Sequence, residues 1–393
     1  MFMKKVIFTV CISLFILGTV HLQGQTRVWN INKLNQAKSL TSEAAKLILR
    51  DADKALSTEI FTVMDKETIP PSGDKHDYIS AGRYWWPDPK NPGGPYIRKD
   101  GVVNREIDKF DRGILGSMAK GVTHLALAYY LTSDERYAAK AAQNLRIWFL
   151  NPKTKMNPNM NFGQTISGRN DGKGRGEGII DTYSFVEMLD GVELLKNSKS
   201  FSAYDQLGLK NWFTSYLNWM MINEIGNEEY TAKNNHGTAF DVQAVRYALF
   251  VGKEDIARKY INDFPKRRLY HQIETDGSQP LELARTTALG YSTFNLTHIL
   301  DMCFIAKSLD IDLFNSTSED GRSVSKALGF LAQYVGKPMS KFPYKQIKEW
   351  DSVQKKLCWE LYRADKFYTI PVFEKYYKNK ISDSDKEEYL LFY

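Results

Sequence analysis

Two short stretches of this sequence carry side chains suited to moving protons beside a carboxylate. The first is Asn234-Asn235-His236, and the second begins at Arg285 and ends at Tyr291. Together they supply amide, imidazole, guanidinium and phenol groups. These groups can neutralise a carboxylate, take a proton from the adjacent carbon and protonate a departing oxygen. The sequence therefore points to elimination of a C–O bond beside a carboxylate, without a metal.

Both stretches also have simpler structural interpretations. Asn234 and Asn235 precede a helix predicted to begin near Gly237, and asparagine is a favoured N-cap residue. Capping and substrate binding are compatible, because Asn234 can cap the helix while the residues after it act. Glu282 and Arg285 are three residues apart, which allows a helical ion pair.

Tyr291 needs a positive neighbour if it is to act as a base, because a phenol has a reference pKa near 10. Arg285 can supply that charge if a break at Gly290 brings the two side chains together. Tyr291, Asn295 and His298 are spaced at i, i+4 and i+7 on an otherwise apolar helix. This polar stripe is either solvated or part of an inward-facing site.

Two long irregular segments, residues 69–104 and 151–178, interrupt the helical patterns. Loops of this length in a compact domain are usually functional or disordered, and both contain aromatic, amide or cationic side chains. Tandem tryptophans are either buried core or a wall for sugar stacking, and arginines suit bidentate binding of carboxylates. The candidate substrate-binding residues in these loops are Tyr84, Trp85, Trp86, Gln164, Arg169 and Arg175, to which Asn234 and Asn295 are added from the helices.

The N-terminus has the features of a secretory signal. Lys4 and Lys5 precede an apolar stretch over residues 6–20, which is followed by a polar segment. Residues 1–25 are therefore predicted to be a signal peptide, with a retained anchor as the alternative, and the mature protein is predicted to be periplasmic or secreted. Cys303 and Cys358 are too few for a disulfide framework, although a single bridge between them is possible.

Charge and composition favour an acidic glycan as the partner. The formal net charge is +7, two units of which belong to the predicted signal peptide, and the chain contains 22 tyrosines and 8 tryptophans. There is no basic stripe or motif typical of nucleic-acid binding. Patterns such as HExxH, the Walker loop, the EF-hand and CxxC are also absent from the sequence, so we expect neither a metal nor another cofactor.

Apolar residues recur every three or four positions along most of the chain, whereas alternating strand patterns are scarce. Helices are predicted over residues 113–131, 135–150, 182–196, 204–222, 237–251, 255–263, 291–309, 323–334 and 371–378. Repeated helix pairs of this kind predict an all-α fold, an incomplete (α/α) toroid of paired antiparallel helices with long cleft-forming loops. Because no linker divides the chain, residues 26–393 are predicted to form one domain.

Four ordered motifs resemble the alginate lyases of the α/α-toroid type, polysaccharide lyase family 38 and more distantly family 5. The match extends over residues 77–334 and covers most of the chain. The motifs are YWWPDP at residues 84–89, NFGQTISGRNDGKGRGEGIIDT at 161–182, KNNH at 233–236, and ELART at 282–286 followed by GY at 290–291.

The resemblance implies cleavage of a 1,4-linked polyuronate by β-elimination, which leaves a 4,5-unsaturated uronic acid. By similarity, Asn235 and Arg285 neutralise the substrate carboxylate, and Gln164 matches a substrate-binding position. Tyr291 would be both base and acid in syn elimination from mannuronate or glucuronate. In anti elimination from guluronate, His236 would be the base and Tyr291 the acid. Family 5 has a more basic lid than the YWWPDP loop, so alginate and glucuronan are both candidate substrates.

Two other functions fit parts of the sequence. A glycoside hydrolase on the same scaffold would need a pair of carboxyl groups, for which Glu177 with Asp181, or Glu187 with Asp190, are candidates. A noncatalytic toroid that binds acidic glycans is the other alternative.

Overall fold

The structure, a computed structural model, describes residues 26–39 and 42–382, so the predicted signal peptide lies outside the described residues. In the described part the helices are α1 (Ile31–Ala37), α2 (Glu43–Ser57), α3 (Arg112–Thr132), α4 (Glu135–Leu145), α5 (Phe185–Leu194), α6 (Ala203–Ile222), α7 (Glu224–Thr231), α8 (Asn235–Val251), α9 (Glu254–Phe264), α10 (Tyr270–Gln272), α11 (Pro280–Leu283), α12 (Ala288–Lys307), α13 (Val324–Ala332), α14 (Trp350–Ala364) and α15 (Glu374–Tyr377). The predicted all-α architecture is confirmed. No helix among the described residues is both long and apolar enough to cross a membrane.

The helices form two layers that differ in how much of their surface is buried. In the inner layer α3 packs against α5, α5 against α8, α8 against α12, and α12 against α14. Helices α5, α8 and α12 are buried on nearly every side, as expected of helices with neighbours all around. In the outer layer α4 packs on α3 and α9 on α8, and each buries a single apolar face.

Most predicted helices begin and end within a few residues of the observed ones. Helix α3 ends at Thr132 and is followed by the C-cap residue Ser133, which has a left-handed backbone (φ 59°). Asp134 then caps α4 through the amide of Arg136. Helices α1, α2, α10, α11 and α14 lie outside the predicted ranges, and so does α7. It follows α6 directly, with Asn223 ending one helix and capping the next, and its short polar sequence has no apolar repeat that would identify it.

The two long loops pair with each other through short strands. Strand β1 (Ile79–Ala81) is parallel to β4 (Phe162–Thr165), and β2 (Trp85–Trp86) forms an antiparallel hairpin with β3 (Ile97–Arg98). Close backbone contact explains one glycine, because a Cβ on Gly178 would lie 2.4 Å from the Gly163 carbonyl carbon. Neither loop is an independent flap, since each supports the other.

A buried carboxylate joins the start of the described chain to the inner helices. Asp190 in α5 accepts hydrogen bonds from the backbone amides of Arg27, Val28 and Trp29 at 2.7–2.9 Å. It also pairs with the buried guanidinium of Arg246 in α8 at 2.8 Å. Cys303 and Cys358 are both buried and free, so the single bridge that the sequence allowed is not formed.

We expect Asp190→Ala to lower the free energy of unfolding by about 3–5 kcal/mol, because Arg246 would remain buried without its partner. Urea unfolding followed by circular dichroism would measure the loss. Glu254→Ala is the matched control, since it breaks the exposed pair with Arg258 and should cost about 0.5 kcal/mol. Equal losses in the two variants would contradict this account.

Candidate active site

A cleft of about 1440 Å³ lies between the paired loops and the N-terminal ends of several helices. Its wall includes residues of α3, α7, α8, α12 and α14. Nine predicted site residues line it: Tyr84, Trp85, Gln164, Arg175, Asn234, Asn235, His236, Arg285 and Tyr291. The structure thus brings together all four predicted catalytic groups, although they are far apart in the sequence.

His236 is oriented by a buried carboxylate. It is the second residue of α8, and its Nδ1 lies 2.7 Å from Oε1 of Glu229 in α7. This contact places a hydrogen on Nδ1 and leaves Nε2 as the nitrogen available to a substrate. Burial alone would lower the pKa of the imidazole, but the Glu229 carboxylate outweighs it and raises that pKa above its ordinary value.

Replacing Glu229 should therefore change the pH dependence of any step in which His236 is the base. In Glu229→Gln the pKa of His236 falls, because the carboxylate that raises it is gone. A base must be neutral, so the acidic limb of kcat/KM should move to lower pH. The profile is best measured on polyguluronate, with exposed Glu224→Gln in the same helix as the control. A limb that stays in place would mean that His236 is not the titrating base.

Asn234 and Asn235 have different partners. The Asn234 side chain accepts the backbone amide of His236 at 3.2 Å, so it caps α8 as the simpler interpretation predicted. Asn235 is fully buried and donates its side-chain amide to Glu282 at 2.9 and 3.1 Å, while its backbone amide donates at 2.7 Å. The amide hydrogens of Asn235, predicted to bind the substrate carboxylate, are thus directed to Glu282 in this structure.

The helical ion pair that the sequence allows between Glu282 and Arg285 does not form. Helix α11 ends at Leu283, so Arg285 leaves the helical face of Glu282 and pairs instead with Asp100 at 2.5 Å. The Glu282 carboxylate instead accepts hydrogen bonds from the backbone and side-chain amides of Asn235. Its burial raises the pKa of its carboxyl group, against the hydrogen bonds from Asn235.

Arg285 and Tyr291 meet as predicted, but by a different route. Gly290 lies inside α12, and the chain bends before that helix, between Leu283 and Ala288. The Cζ atom of Arg285 lies 3.6 Å from the centre of the Tyr291 ring, so the guanidinium stacks on the phenol. A connection between two helices, rather than a break at glycine, produces this contact.

The phenol of Tyr291 is held in its protonated form. Burial raises its pKa, Tyr84 raises it further, and the guanidinium of Arg285 opposes both, with a net pKa above the ordinary value. The hydroxyl groups of Tyr291 and Tyr84 are 2.8 Å apart and hydrogen-bonded. Tyr84 was predicted to bind substrate; it lines the cleft and also contacts the candidate proton carrier directly.

The predicted sugar-stacking wall is largely occupied by protein side chains. The guanidinium groups of Arg169 and Arg175 lie 5.0 and 5.9 Å from the Trp85 ring centre. Trp86 does not line the cleft, and its indole nitrogen donates to the Val102 carbonyl at 2.9 Å. Arg169 lies outside the cleft as well, where its Nε donates to a backbone carbonyl of the first loop.

Gln164 lines the cleft, but its amide group is already engaged. Its Nε2 donates to the Glu177 carbonyl at 2.9 Å, and its Oε1 accepts from Arg175 at 3.1 Å. Its backbone is left-handed, with φ of 50°. A substrate would have to replace one of these hydrogen bonds to use the amide.

Only the first member of the predicted polar stripe reaches the cleft. Asn295 is fully buried and donates to the side chains of Gln272 and Gln279 at 2.9 and 2.8 Å. His298 is also fully buried, with its ring 4.3 Å from that of Tyr183 and 4.2 Å from that of Phe294. Asn295 and His298 thus belong to the buried core beside α12 and do not line the cleft.

The carboxyl pairs considered for a hydrolase are occupied or misplaced. Glu177 pairs with Arg175 at 2.6 Å, and Asp181 pairs with Arg112 at 3.3 Å. Glu187 and Asp190 do not line the cleft. A glycosidase needs one protonated carboxyl group and one free carboxylate, and carboxylates held by arginines do not supply that combination.

The wall of the cleft carries more cations than anions, which suits an acidic polymer. The cations are Arg83, Arg98, Arg105, Arg112, Lys120, Arg175, Arg285, Lys348 and Lys356, and the anions are Asp108, Glu177, Asp181, Glu228, Glu229 and Glu349. Among the described residues, no three His, Cys, Asp or Glu side chains are grouped as a metal site would require.

Comparisons with known proteins identify the family of the chain. The alginate lyase family model matches residues 62–341. An alginate lyase from Bacteroides ovatus is 52% identical, with a TM-score of 0.91, and the match covers 94% of this chain and 99% of that one. No curated protein matches the sequence.

More distant structures share the fold. Alginate lyase A1-III from Sphingomonas species A1 is 14% identical, with a TM-score of 0.55 and coverage of 95% of this chain and 99% of that one. A histidine-to-alanine variant of the same enzyme, complexed with a tetrasaccharide, gives a TM-score of 0.60 at 14% identity, with coverage of 95% of this chain and 97% of that one. The predicted (α/α) toroid is confirmed, and the chain belongs to the alginate lyase family of polysaccharide lyases.

Proposed function

We propose that this lyase cleaves alginate or a related 1,4-linked polyuronate by metal-independent β-elimination. One observation carries the proposal: a guanidinium, a phenol and a carboxylate-bound imidazole face the same basic cleft. The close relative is described as an alginate lyase, and the distant one was captured with a tetrasaccharide. Both descriptions support an acidic glycan as the substrate.

The reaction needs three groups in the cleft. Arg285 neutralises the uronate carboxylate, which makes the proton on C5 easier to remove. A base takes that proton, a double bond forms between C4 and C5, and the C4–O bond breaks. An acid then gives a proton to the departing glycosidic oxygen. Because Glu282 holds the Asn235 amide, Arg285 is the better placed of the two predicted carboxylate-binding residues.

Tyr291 and His236 are suited to different proton transfers. The raised pKa of Tyr291 keeps its hydroxyl protonated, as a general acid requires. The Nε2 atom of His236 is then the base in anti elimination. In syn elimination Tyr291 must first lose its proton, and the Arg285 guanidinium, which lowers the pKa of this phenol, would stabilise the phenolate.

We further propose that residues 1–25 direct export and that the mature chain acts in the periplasm or outside the cell as one domain. The support is the basic, then apolar, then polar order of the N-terminal residues. The N-terminal sequence of the exported protein would test this, with cleavage close to residue 25 as the expected result.

The ultraviolet absorbance of the unsaturated uronic acid tests the reaction. We expect it to rise when the protein is incubated with polymannuronate, polyguluronate, alginate or glucuronan, and the relative rates would identify the preferred uronate. EDTA should leave the rate unchanged if no metal takes part. New reducing ends without absorbance would indicate hydrolysis, and binding without cleavage would indicate a noncatalytic protein.

A further inference from the structure

Asp100, in the chain that follows β3, makes a dense contact with the opposite side of the cleft. Its Oδ1 accepts from Arg285 Nη2 at 2.5 Å, and both of its oxygens lie 3.2 Å from Arg285 Nε. Its Oδ2 accepts from the backbone amide and the hydroxyl of Thr286 at 3.0 and 2.9 Å. Arg98, the last residue of β3, also donates to Oδ1 at 2.9 Å. Both oxygens of the carboxylate thus accept hydrogen bonds, although Asp100 and its main partner Arg285 are 185 residues apart in the sequence.

The neighbouring backbone is built for this contact. Gly101 has φ of +77°, and a Cβ there would lie 2.4 Å from Oγ1 of Thr286 and 3.0 Å from Ile347. A larger residue would be strained and would also push the hairpin away from Thr286. The Asp100-Gly101 pair therefore allows an approach that other residues would prevent.

The contact fixes the orientation of Arg285. A free arginine side chain has many rotamers, but here Nε and Nη2 are both held by one carboxylate while the guanidinium lies 3.6 Å from the Tyr291 ring centre. Nη1 makes no hydrogen bond to any described residue. It is therefore the nitrogen left for another carboxylate.

We propose that Asp100 is a positioning residue for the elimination, which holds Arg285 flat on Tyr291 and leaves Nη1 for the carboxylate of the bound uronate. The inference rests on the proposed function, because it assigns Arg285 a carboxylate to bind. Asp100 acts only through Arg285 and touches neither the substrate nor the reacting atoms.

The charge of Asp100 also acts on Tyr291. Burial raises the pKa of this phenol most, Tyr84 and, to a smaller extent, Asp100 raise it further, and the Arg285 guanidinium lowers it. Removing its charge should lower the pKa of Tyr291. Any limb of the pH profile that Tyr291 controls, as acid or as base, should then move to lower pH.

A double-mutant cycle tests the proposal. We expect Asp100→Asn to lower kcat by about 10²-fold, since a displacement of about 1 Å in a catalytic group has that effect. In an Arg285→Gln background the same change should alter kcat by less than about twofold, because the group that Asp100 positions is already gone. Thr286→Val, which removes one hydrogen bond from Asp100 and no charge, should give a smaller loss with the same dependence on Arg285.

Asp88→Asn, in the same hairpin but outside the cleft, is the matched control and should keep wild-type kcat and pH dependence. Circular dichroism would verify that each variant is folded. Equal losses from Asp100→Asn in both backgrounds, or an unmoved pH profile, would overturn the role of Asp100. Lack of unsaturated product from the wild-type protein would instead refute the proposed elimination, so the two failures are distinguishable.

Discussion

Replacing Tyr291 with phenylalanine should nearly abolish turnover on every polyuronate while leaving the fold and substrate binding intact. The change removes one hydroxyl group and keeps the ring on which Arg285 stacks. The hydroxyl is the proton donor to the glycosidic oxygen in both proposed mechanisms, and a general acid or base typically contributes about 10²–10⁴-fold to the rate. We therefore expect kcat to fall by about that factor with little change in the Kd of a uronate oligosaccharide.

Two matched variants make this result specific. Tyr96→Phe removes a hydroxyl that donates to Glu106 outside the cleft, and it should leave kcat unchanged. Tyr84→Phe removes only the partner of the Tyr291 hydroxyl, so it should lower kcat less than Tyr291→Phe does. If Tyr291→Phe kept near-normal activity on all substrates, another group would have to carry the proton.

The helical framework was predictable because its inner helices are strongly apolar and its outer helices have one apolar face. Helices α3, α6, α8 and α12 were predicted to within three residues at each end. Helix α7 was missed, and it carries the carboxylate that orients His236. Short polar helices owe their structure to tertiary contacts, which a single sequence does not reveal.

The candidate groups of the site were predictable by residue type, but their partners were not. Asn235 is bound to Glu282, 47 residues further along the chain, and Arg285 is bound to Asp100 on the hairpin. Such contacts depend on how the loops pair across the cleft, and spacing within one helix gives no information about them. The local ion pair that the spacing of Glu282 and Arg285 allows does not form for that reason.

The same limitation explains why the contacts of the loop residues were not predicted. Trp85 and Arg175 were predicted as separate contacts for a sugar, yet the structure stacks them on each other. Trp86 and Arg169 lie outside the cleft, because the loops use part of their polar and aromatic side chains to hold their own shape. Asn295 lies outside it because it is buried in α12, where it donates to Gln272 and Gln279. A residue type suited to sugar binding is also suited to supporting a loop.

Replacing His236 with alanine should separate the two proposed mechanisms. If His236 is the base for anti elimination, polyguluronate cleavage should fall by about 10²–10⁴-fold. Polymannuronate cleavage, in which Tyr291 is both base and acid, should fall much less. Rates of absorbance increase on the two polymers, measured in parallel, give the ratio directly.

The control for this prediction is His271→Ala, since His271 is an exposed histidine outside the cleft and should be silent on both polymers. Added imidazole should partly restore polyguluronate cleavage by His236→Ala, because the removed ring leaves space beside Glu229 for a free base. Equal losses on the two polymers, with no rescue, would show that His236 positions the substrate in both reactions and is the base in neither. The ratio of the two rates therefore decides whether one cleft carries out one elimination or two.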